Sequence, residues 1–404
     1  MTTATRTNPL SYLTDQLNDL KAKGTHFRLR VLDDEQAAVC TFDGKKVINL
    51  ASNNYLGLTT HPKLREAALE ATRKYGVGSG AVRTIAGTMK IHMELEEKIA
   101  RFKNVEACVV FQSGFAANAG TVSAILGKED FILSDELNHA SIIDGARLSR
   151  AKIKVFRHKD AAHCEELLQE VAGEPGRKLV ITDGVFSMDG DIGPVDKLAA
   201  LAEKYGAIMM EDDAHASGVL GRNGRGSVDH FGMHGKVDVQ VGTLSKAIGA
   251  LGGYVCGSRD LIDYLYHRAR PFLFSTSHPP GVAATCIAAF DILESEPERI
   301  ARLWDNTRYF QGELRRVGFN VGGVNTPATE TPITPVIVGE GRTAMEFSRA
   351  LFDEGVMGTG IAFPTVAEGK ARIRLILTSE HTREQLDQAL ETLERVAKQL
   401  GILQ

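Results

Sequence analysis

Seven short apolar runs alternate with helix-like segments along the middle of this chain. They cover residues 107–111, 131–134, 152–156, 178–182, 207–211, 237–243 and 253–257. Strands that alternate with helices over such a length are typical of a mostly parallel sheet with helices on both faces. We therefore predict an α/β fold, in which ligands bind outside the carboxyl ends of the strands.

The two ends of the chain predict different structures. Residues 9–21 have helical spacing, with Leu10, Leu13, Leu17 and Leu20 on one stripe, and short strands are expected at residues 37–42 and 46–50. Beyond residue 284 the pattern predicts a long helical stretch at residues 287–317, strands at 333–338 and 371–378, and an amphipathic helix at 382–400. We predict an N-terminal arm (residues 1–50), a large domain (51–284) and a smaller C-terminal α+β domain (285–404).

Composition limits the function classes. The net charge of −4 gives no electrostatic reason to expect nucleic acid or an anionic membrane as a partner. The five cysteines are scattered without a Cys-x-x-Cys pair, and no apolar segment is long enough for a signal peptide or a membrane span. We expect reduced thiols, a cytoplasmic location and no metal site.

Lys246 follows the apolar run that ends near residue 243. A buried lysine with a neutral amine can bond to a carbonyl cofactor. The hydroxyl groups of Thr243 and Ser245 can hold a phosphate beside it, as pyridoxal 5'-phosphate (PLP) requires. On its own, the pentapeptide 242–246 is equally consistent with a surface lysine in a turn of small residues.

Acidic residues follow the preceding run, at residues 211–213. Carboxylates at the carboxyl end of a parallel strand point into the crevice where α/β sheets bind ligands. PLP chemistry needs a carboxylate against the pyridinium nitrogen, and a second polar group must reach the phenolic oxygen of the ring. Asp212 and His215, three residues apart, suit these two roles. A metal-binding or a solvated acidic loop is the alternative, and a lysine at the end of the next strand argues against it.

A glycine turn between the run at residues 107–111 and the next helix predicts an anion site. The segment Gln112-Ser113-Gly114-Phe115 leads into the helix N-terminus, where free N–H groups and the helix dipole attract anions. We assign the PLP phosphate to Ser113, Gly114 and Phe115.

Four segments carry a resemblance to the α-oxoamine synthase family of fold-type-I PLP enzymes. They are residues 50–58 (LASNNYLGL), 82–88 (VRTIAGT), 138–145 (NHASIIDG) and 182–190 (TDGVFSMDG). The resemblance extends to residues 372–374 and so covers nearly the whole chain. It implies a fold-type-I PLP-dependent transferase that joins an amino acid to an acyl-CoA thioester, with Lys246 as the base that takes the α-proton.

The resemblance also implies roles for single residues. His139 is expected to stack on the PLP ring, and Ser187 to reach the cofactor or the substrate. Asn53 is expected to contact substrate. Independently of the resemblance, Arg372 and Arg374 alternate along a predicted late strand, and we expect them to face opposite sides of it. The resemblance favours Arg374 as the residue that binds the substrate carboxylate, with Arg372 solvated or paired. The sequence 274–277 resembles a segment that crosses to the neighbouring subunit, which implies a homodimer whose Ser275 and Thr276 serve the partner's PLP phosphate.

The substrates are the least constrained part of the reading. Three of the four segments resemble glycine C-acetyltransferases most closely, which favours glycine and acetyl-CoA, in a reaction that runs in reverse during threonine catabolism. An alternative is an 8-amino-7-oxononanoate synthase, which joins alanine to a pimeloyl thioester with loss of CO2, or an enzyme that does both.

Two other functional classes are alternatives to an α-oxoamine synthase. A fold-type-I aminotransferase shares the lysine, aspartate and phosphate turn. A non-enzymatic PLP-binding regulator would need a DNA-binding segment, and the sequence has no basic patch for one.

Overall fold

The computed structural model describes residues 8–24, 26, 28–322 and 331–404. Residues 1–7 of the predicted arm and residues 323–330 of the predicted small domain lie outside the described residues. Among the described residues, none of the helices combines the length and the apolar composition that crossing a membrane requires.

A sheet of seven strands forms the centre of the molecule, and each predicted apolar run contributes one of them. The spatial order is β3-β9-β8-β7-β6-β4-β5. All of its strands are parallel except β9, which is antiparallel to both of its neighbours. Their bounds are β3 Ala107–Phe111, β4 Phe131–Asp135, β5 Lys152–Phe156, β6 Lys178–Asp183, β7 Ile208–Asp212, β8 Val239–Thr243 and β9 Gly253–Gly257. The predicted mostly parallel sheet is confirmed.

Helices cover both faces of this sheet because successive side chains on a strand point in opposite directions. Val109 and Ile132 pack with α4 and α5 (Gly114–Ile125 and Ala140–Ser149). Leu133 points the other way and packs with α6 and α7 (Ala161–Val171 and Val195–Tyr205). Strands buried on both faces explain why these runs are continuously apolar instead of alternating.

Two smaller sheets lie outside the central one. The first contains β1 (Val39–Phe42), β2 (Lys45–Asn49) and β11 (Val356–Met357), so the N-terminal strands pair with a late strand. The second is antiparallel and contains β10 (Ile333–Gly339), β13 (Ala371–Ile376) and β12 (Thr359–Ile361). Strands β11 and β12 were not predicted, because runs of two or three residues carry no periodic signal. These late elements form the smaller C-terminal part of the fold.

The remaining helices complete the layers. They are α1 Tyr12–Ala22, α2 Pro62–Tyr75, α3 Lys90–Lys103, α8 Ser227–His230, α9 Arg259–Arg268, α10 Arg270–Leu273, α11 Pro280–Ser295, α12 Glu298–Arg316, α13 Gly341–Asp353 and α14 Arg383–Gln399, with short helical turns at Leu58–Thr60, Arg83–Gly87 and Arg222–Gly224. The helical stretch predicted at residues 287–317 is two helices: α11 ends at Ser295, and Pro297 precedes the first residue of α12, Glu298.

Candidate active site

A cavity of about 210 Å³ opens at the edge of the central sheet where β6, β7 and β8 end. It collects most of the residues predicted to bind the cofactor. The lining consists of Ser113, Gly114, Phe115, His139, Ser141, Asp183, Val185, Ser187, Asp212, Ala214, His215, Thr243, Ser245 and Lys246. Side chains from five separate stretches of the sequence therefore meet at the edge that the strand order predicts.

Lys246 lies in this cavity, three residues after β8 ends at Thr243. Burial lowers the pKa of its amine from 10.5 to about 8, and the charge of Arg374 acts in the same direction. The negative charge of Asp212 opposes the shift without cancelling it. With a pKa of about 8, roughly a tenth of this amine is neutral at pH 7, and a nucleophile or a general base must be neutral.

Asp212 ends β7 and has a fixed orientation. Its Oδ2 accepts a hydrogen bond of 2.6 Å from Asn118 Nδ2, and its Oδ1 accepts one of 2.8 Å from the backbone N–H of Ala214. Asn118 lies in α4 and also donates to the Ser141 hydroxyl group at 3.0 Å. Donors on both oxygens hold the carboxyl group in one orientation at the end of β7. Asp212 can therefore face a positive group in the cavity.

Asp183 ends β6 and is the register partner of Asp212 on β7. Its Oδ1 is buried and has no hydrogen-bond partner among the described residues. Burial raises the pKa of this carboxyl group well above its ordinary value of 3.8, and the negative charges of Asp212 and Asp135 add to the increase. Two neighbouring carboxyl groups in one cavity thus have different environments.

Two histidines border the same cavity. His139 precedes α5, and its Nδ1 accepts a hydrogen bond from the backbone N–H of Ser141 at 3.2 Å, while the Ser141 hydroxyl lies 2.7 Å from the same nitrogen. An Nδ1 that accepts from N–H leaves the proton of the neutral ring on Nε2. His215 Nδ1 lies 2.8 Å from the hydroxyl group of the buried Tyr55. Burial first, and then the charge of Lys246, lowers the pKa of His215 well below its ordinary value, so the ring is neutral.

The predicted anion site lies at the N-terminus of α4. Ser113 caps this helix by accepting hydrogen bonds from the N–H groups of Ala116 and Ala117, both at 3.0 Å. In the described part of the chain, the N–H groups of Gly114 and Phe115 have no protein acceptor. They belong to the first turn of a helix, where N–H groups lack intrahelical partners and anions bind.

The reversed direction of β9 brings a glycine beside this turn. Gly253 begins β9 and pairs with both Phe111 and Thr243, so it lies at the edge where β3 and β8 end. A β-carbon at Gly253 would overlap the backbone of Ser113 and Gly114. Glycine is therefore required for the close approach of this turn to the sheet.

The hydroxyl groups assigned to the cofactor lie around the same cavity. Thr243 Oγ1 lies 2.8 Å from Ser245 Oγ, and both residues line the cavity beside Lys246. Ser187 lines it from the loop that follows β6. Ser275 and Thr276 are not among the lining residues; Thr276 is exposed and its carbonyl oxygen accepts from Gln112 Nε2 at 2.7 Å.

The two arginines of β13 share one face of the strand, contrary to the prediction. Arg372 Nη1 donates to Met188 O and Asp189 Oδ1, both at 2.8 Å, and Arg374 Nη2 donates to Asn53 Oδ1 at 3.3 Å. Ile373 between them points into the apolar core. The expectation of opposite faces was wrong because side chains two residues apart on a strand point the same way. Arg372 is paired.

Arg374 remains available to a ligand. Its Nε is buried and has no acceptor among the described residues, and its charge lowers the pKa of both Lys246 and His215. Burial lowers the pKa of Arg374 itself, because little of its charge is compensated by protein groups. A carboxylate from a substrate would supply the missing acceptor.

Sequence reasoning missed four polar residues of this site: Tyr55, Asn118, Ser141 and Asp183. Tyr55, Ser141 and Asp183 fall inside the segments that carried the family resemblance, and Asp183 has the same strand-end position that identified Asp212. Asn118 had one signal available, since it is a polar residue inside a helix of small apolar residues.

The residues of the cavity fit PLP. A lysine with a lowered pKa, a carboxylate held by two donors, and the unpaired N–H groups of a helix N-terminus face one space. These are the groups that a carbonyl, a pyridinium nitrogen and a phosphate need.

Comparison with known proteins agrees with this reading of the cavity. Residues 45–393 match the family described as "Aminotransferase class I and II". The chain is 57% identical to the 8-amino-7-oxononanoate synthase of Symbiobacterium thermophilum, over 97% of this chain and 99% of the relative. It is 53% identical to 8-amino-7-oxononanoate synthase 1 of Bacillus subtilis, over 98% and 100% of the two chains.

Solved structures of similar fold belong to the same group of enzymes. The serine palmitoyltransferase of Sphingomonas wittichii superposes with a TM-score of 0.93 at 31% identity, covering 98% of this chain and all of that one. An 8-amino-7-oxononanoate synthase from Francisella tularensis has a TM-score of 0.73 at 28% identity, covering 87% and 98% of the two chains. The prediction of PLP as cofactor is confirmed, because the chain matches a PLP-dependent family and the similar solved structures include serine palmitoyltransferase with PLP.

The same comparisons overturn one prediction. Glycine C-acetyltransferase, with its role in threonine catabolism, was the preferred reading of the sequence. The relatives that share 52–57% of their residues with nearly the whole chain carry the name of the alternative, 8-amino-7-oxononanoate synthase. The preferred reading was wrong because it rested on short motifs around the cofactor, which enzymes with different substrates can share.

Proposed function

Because this chain belongs to the α-oxoamine synthases, within the fold-type-I PLP enzymes of the class I and II aminotransferase family, we propose that it joins alanine to a pimeloyl thioester. The reaction forms a bond between the alanine α-carbon and the thioester carbonyl, and releases the thiol and CO2. Its product is 8-amino-7-oxononanoate. The observation that carries the proposal is identity above 50% to synthases of that name over nearly the full chain.

The amino acid is bound by its carboxylate. Arg374 offers an unpaired Nε, and its Nη2 is steadied by Asn53 at 3.3 Å. A planar guanidinium can hold a carboxylate through two parallel hydrogen bonds, which fixes its orientation as well as its position. Ser187 borders the same cavity and supplies a further hydroxyl group to cofactor or substrate.

The cofactor is held at three places. Ser113, Gly114 and Phe115 would bind its phosphate, with Thr243 and Ser245 beside them. Asp212 would face the ring nitrogen, His215 the phenolic oxygen, and His139 one face of the ring. When bound, PLP accepts the electron pair that is left when a bond to the amino acid α-carbon breaks.

Lys246 moves the proton. Its pKa of about 8 lets the neutral amine take the α-proton of the amino acid. Asn118 and Ala214 fix the orientation of Asp212, the residue that would hold the ring nitrogen of the cofactor. The same lysine would hold the cofactor through its carbonyl group.

We also propose a homodimer whose active sites are shared. The leucine side chains of α1 are exposed, with Leu13 at 40% and Leu17 at 47%, and no residue of this helix is buried. Phe274 is 71% exposed, next to Ser275 and Thr276, which do not line the cavity of their own chain. Apolar side chains exposed in this way favour contact with a second copy. The cytoplasmic location and the three-part domain division stay predictions.

The test is a matrix of substrates with the purified PLP-loaded enzyme. Alanine, glycine and serine are each combined with pimeloyl, acetyl and palmitoyl thioesters, and thiol release is followed. Alanine labelled at the carboxyl carbon reports CO2. We expect the highest kcat/KM for alanine with the pimeloyl thioester, with one CO2 released per thiol. Faster turnover of any other pair, or product that keeps the labelled carbon, would refute the proposal.

A further inference from the structure

Arg372 and Arg374 lie on one face of β13 but have different kinds of partner. Arg374 has a buried Nε that lacks an acceptor among the described residues, whereas Arg372 is 1% exposed and bound to protein groups. Arg372 Nη1 donates to Asp189 Oδ1 and Met188 O at 2.8 Å each, and its Nε donates to Lys370 O at 3.1 Å. The strand that carries the substrate arginine is thereby fixed to residues 188–189.

Residues 186–191 form the loop that carries Ser187 into the cavity, and here they are called the serine loop. The loop is closed on itself by hydrogen bonds from Gly190 N to Phe186 O at 2.9 Å and from Phe186 N to Asp191 O at 3.0 Å. The C-terminal part of the chain holds it at a second point, where Thr331 Oγ1 donates to Gly190 O at 2.8 Å.

The central sheet holds the other end of the serine loop. His158 follows β5 and lies between Asp135 at 3.0 Å and Asp191 at 2.9 Å. Its ring is perpendicular to that of Phe186, and the two ring centroids are 4.4 Å apart. The serine loop is therefore bound to the large sheet through Asp191 and to β13 through Asp189. Ser187 and Arg374 are located relative to each other by a short, buried chain of contacts.

We propose that Arg372 and Asp189 are positioning residues that set the distance between Ser187 and Arg374, and so the fit of the amino-acid substrate. Neither residue lines the cavity, and both act through their neighbours. Arg372 acts through the strand that it shares with Arg374, and Asp189 through the serine loop. The proposal rests on the proposed function in one respect only, namely that Arg374 binds the carboxylate of an α-amino acid.

A structural role alone does not explain this ion pair well. Removing two charges from water costs about as much as their attraction returns, and apolar pairs of similar volume often serve stability equally well. Fixing one arrangement among several is the best-attested use of such pairs. Here the two charges join the two segments that carry Ser187 and Arg374, where a displacement of one ångström can cost orders of magnitude in rate.

The test compares Asp189→Asn, Arg372→Gln and the double variant with wild type, all loaded with PLP. Amino-acid binding is measured without acyl donor, through the change in visible absorbance of the bound cofactor. We expect each single variant to weaken amino-acid binding roughly ten- to hundredfold. The KM of the acyl thioester, measured with saturating amino acid, should stay within about twofold. The double variant should bind the amino acid at least as tightly as the single variant with the lower affinity, because the two residues act as one unit.

Asp130→Asn is the matched control. Asp130 is 4% exposed and pairs with Arg177 at 2.9 Å, just before β4 begins, at the opposite edge of the sheet. This variant should lose stability without losing amino-acid affinity. Unchanged amino-acid binding in both folded single variants would overturn the proposal. The proposal would also be overturned if affinity for the amino acid and for the thioester fell equally, in proportion to the decrease in melting temperature.

Titrating several amino acids tests the positioning role independently of which amino acid is the substrate. Glycine, alanine and serine are all titrated, and the variants are judged on whichever amino acid wild type binds. A wild type that prefers another amino acid would refute alanine as substrate and leave the positioning role open to the same comparison. If wild type binds an amino acid and the variants bind it equally well, only the positioning role fails.

Discussion

Asp183 and Asp212 are register partners at the ends of adjacent parallel strands, and their carboxyl groups border one cavity. Asp212 accepts hydrogen bonds on both oxygens, whereas Asp183 Oδ1 has no partner among the described residues. The pKa of Asp183 is raised by burial and by the charge of Asp212 itself. Pairs of acids whose environments diverge in this way have different roles.

The two aspartates should therefore respond differently to replacement by asparagine. Asp212→Asn should lower kcat by about two orders of magnitude, the usual loss for one preorganised electrostatic partner. Asp183→Asn should change kcat/KM by no more than about threefold, because asparagine is uncharged like the protonated acid and has its shape. Steady-state kinetics at neutral pH measures both. A severe loss in Asp183→Asn alone would reverse the assignment.

Asp183 should also affect how stability depends on pH. A carboxyl group whose pKa is raised in the folded protein favours folding at low pH, and this contribution is lost as pH rises through the folded pKa. Asp183→Asn removes the titration. Its melting temperature should exceed that of wild type at alkaline pH, and the difference should shrink as pH falls toward the ordinary value of 3.8. Thermal unfolding of the two apo-proteins across pH tests this, and a constant difference would contradict it.

The central fold follows from the sequence because it rests on local periodicity. Each buried parallel strand appears as a short apolar run, and Lys246 and Asp212 could be located because their runs end just before them. The direction of β9 could not be predicted, since an apolar run has the same pattern in either direction. Asn118 and Asp212 are 94 residues apart, and their hydrogen bond depends on how α4 packs on the sheet.

The motifs could not identify the substrate. Residues that hold the cofactor have the same task in every enzyme of the family, so they do not distinguish glycine from alanine. One extra methyl group changes binding by only about 1–3 kcal/mol. Such a difference arises from small changes in the cavity wall, which leave no pattern in the sequence.

Lys246 should react with PLP at a rate that follows its lowered pKa. Only the neutral amine attacks the cofactor carbonyl, so the rate of capture by apo-protein should rise with pH, reach half its maximum near pH 8 and then level off. Stopped-flow absorbance after mixing with PLP measures it. A lysine with the ordinary pKa of 10.5 would still be gaining rate well above pH 9. Lys246→Ala is the control and should develop no yellow absorbance.

Asn118 should contribute to catalysis without touching substrate. Asn118→Leu removes the donor to Asp212 Oδ2 and keeps most of the side-chain volume. A hydrogen bond to a charged group is worth roughly 1.5–3 kcal/mol, so kcat should fall about 10- to 150-fold, with the KM for the amino acid little changed. Ser123→Ala, in the same helix and outside the cavity lining, serves as the control. A rise in KM without loss of kcat would place Asn118 elsewhere in the mechanism.

Arg374 should determine affinity for the amino-acid carboxylate. Arg374→Lys keeps the positive charge but loses the planar pair of donors, so the KM for the amino acid should rise about tenfold or more. The KM for the thioester is the internal reference and should be unaffected. Equal increases in both constants would show that the substrate carboxylate is bound by another group.

The assembly prediction tests whether the active site is shared between subunits. If Ser275 and Thr276 serve the partner's cofactor, Lys246→Ala and Thr276→Ala chains should complement each other. In a mixed dimer, the site with an intact Lys246 receives an intact Thr276 from the other chain. Random pairing makes about half of the dimers mixed, each with one complete site, so about a quarter of wild-type activity should return.

Co-refolding the two variants and measuring thiol release gives the answer, with each variant refolded alone as the baseline. Tagging the two chains differently allows the mixed dimer to be purified, and its activity should then approach about half of wild type per dimer. Verified mixed dimers without activity above the baseline would mean that each chain completes its own site. That outcome would leave the exposed Thr276, hydrogen-bonded through its carbonyl oxygen to Gln112, as a local structural contact.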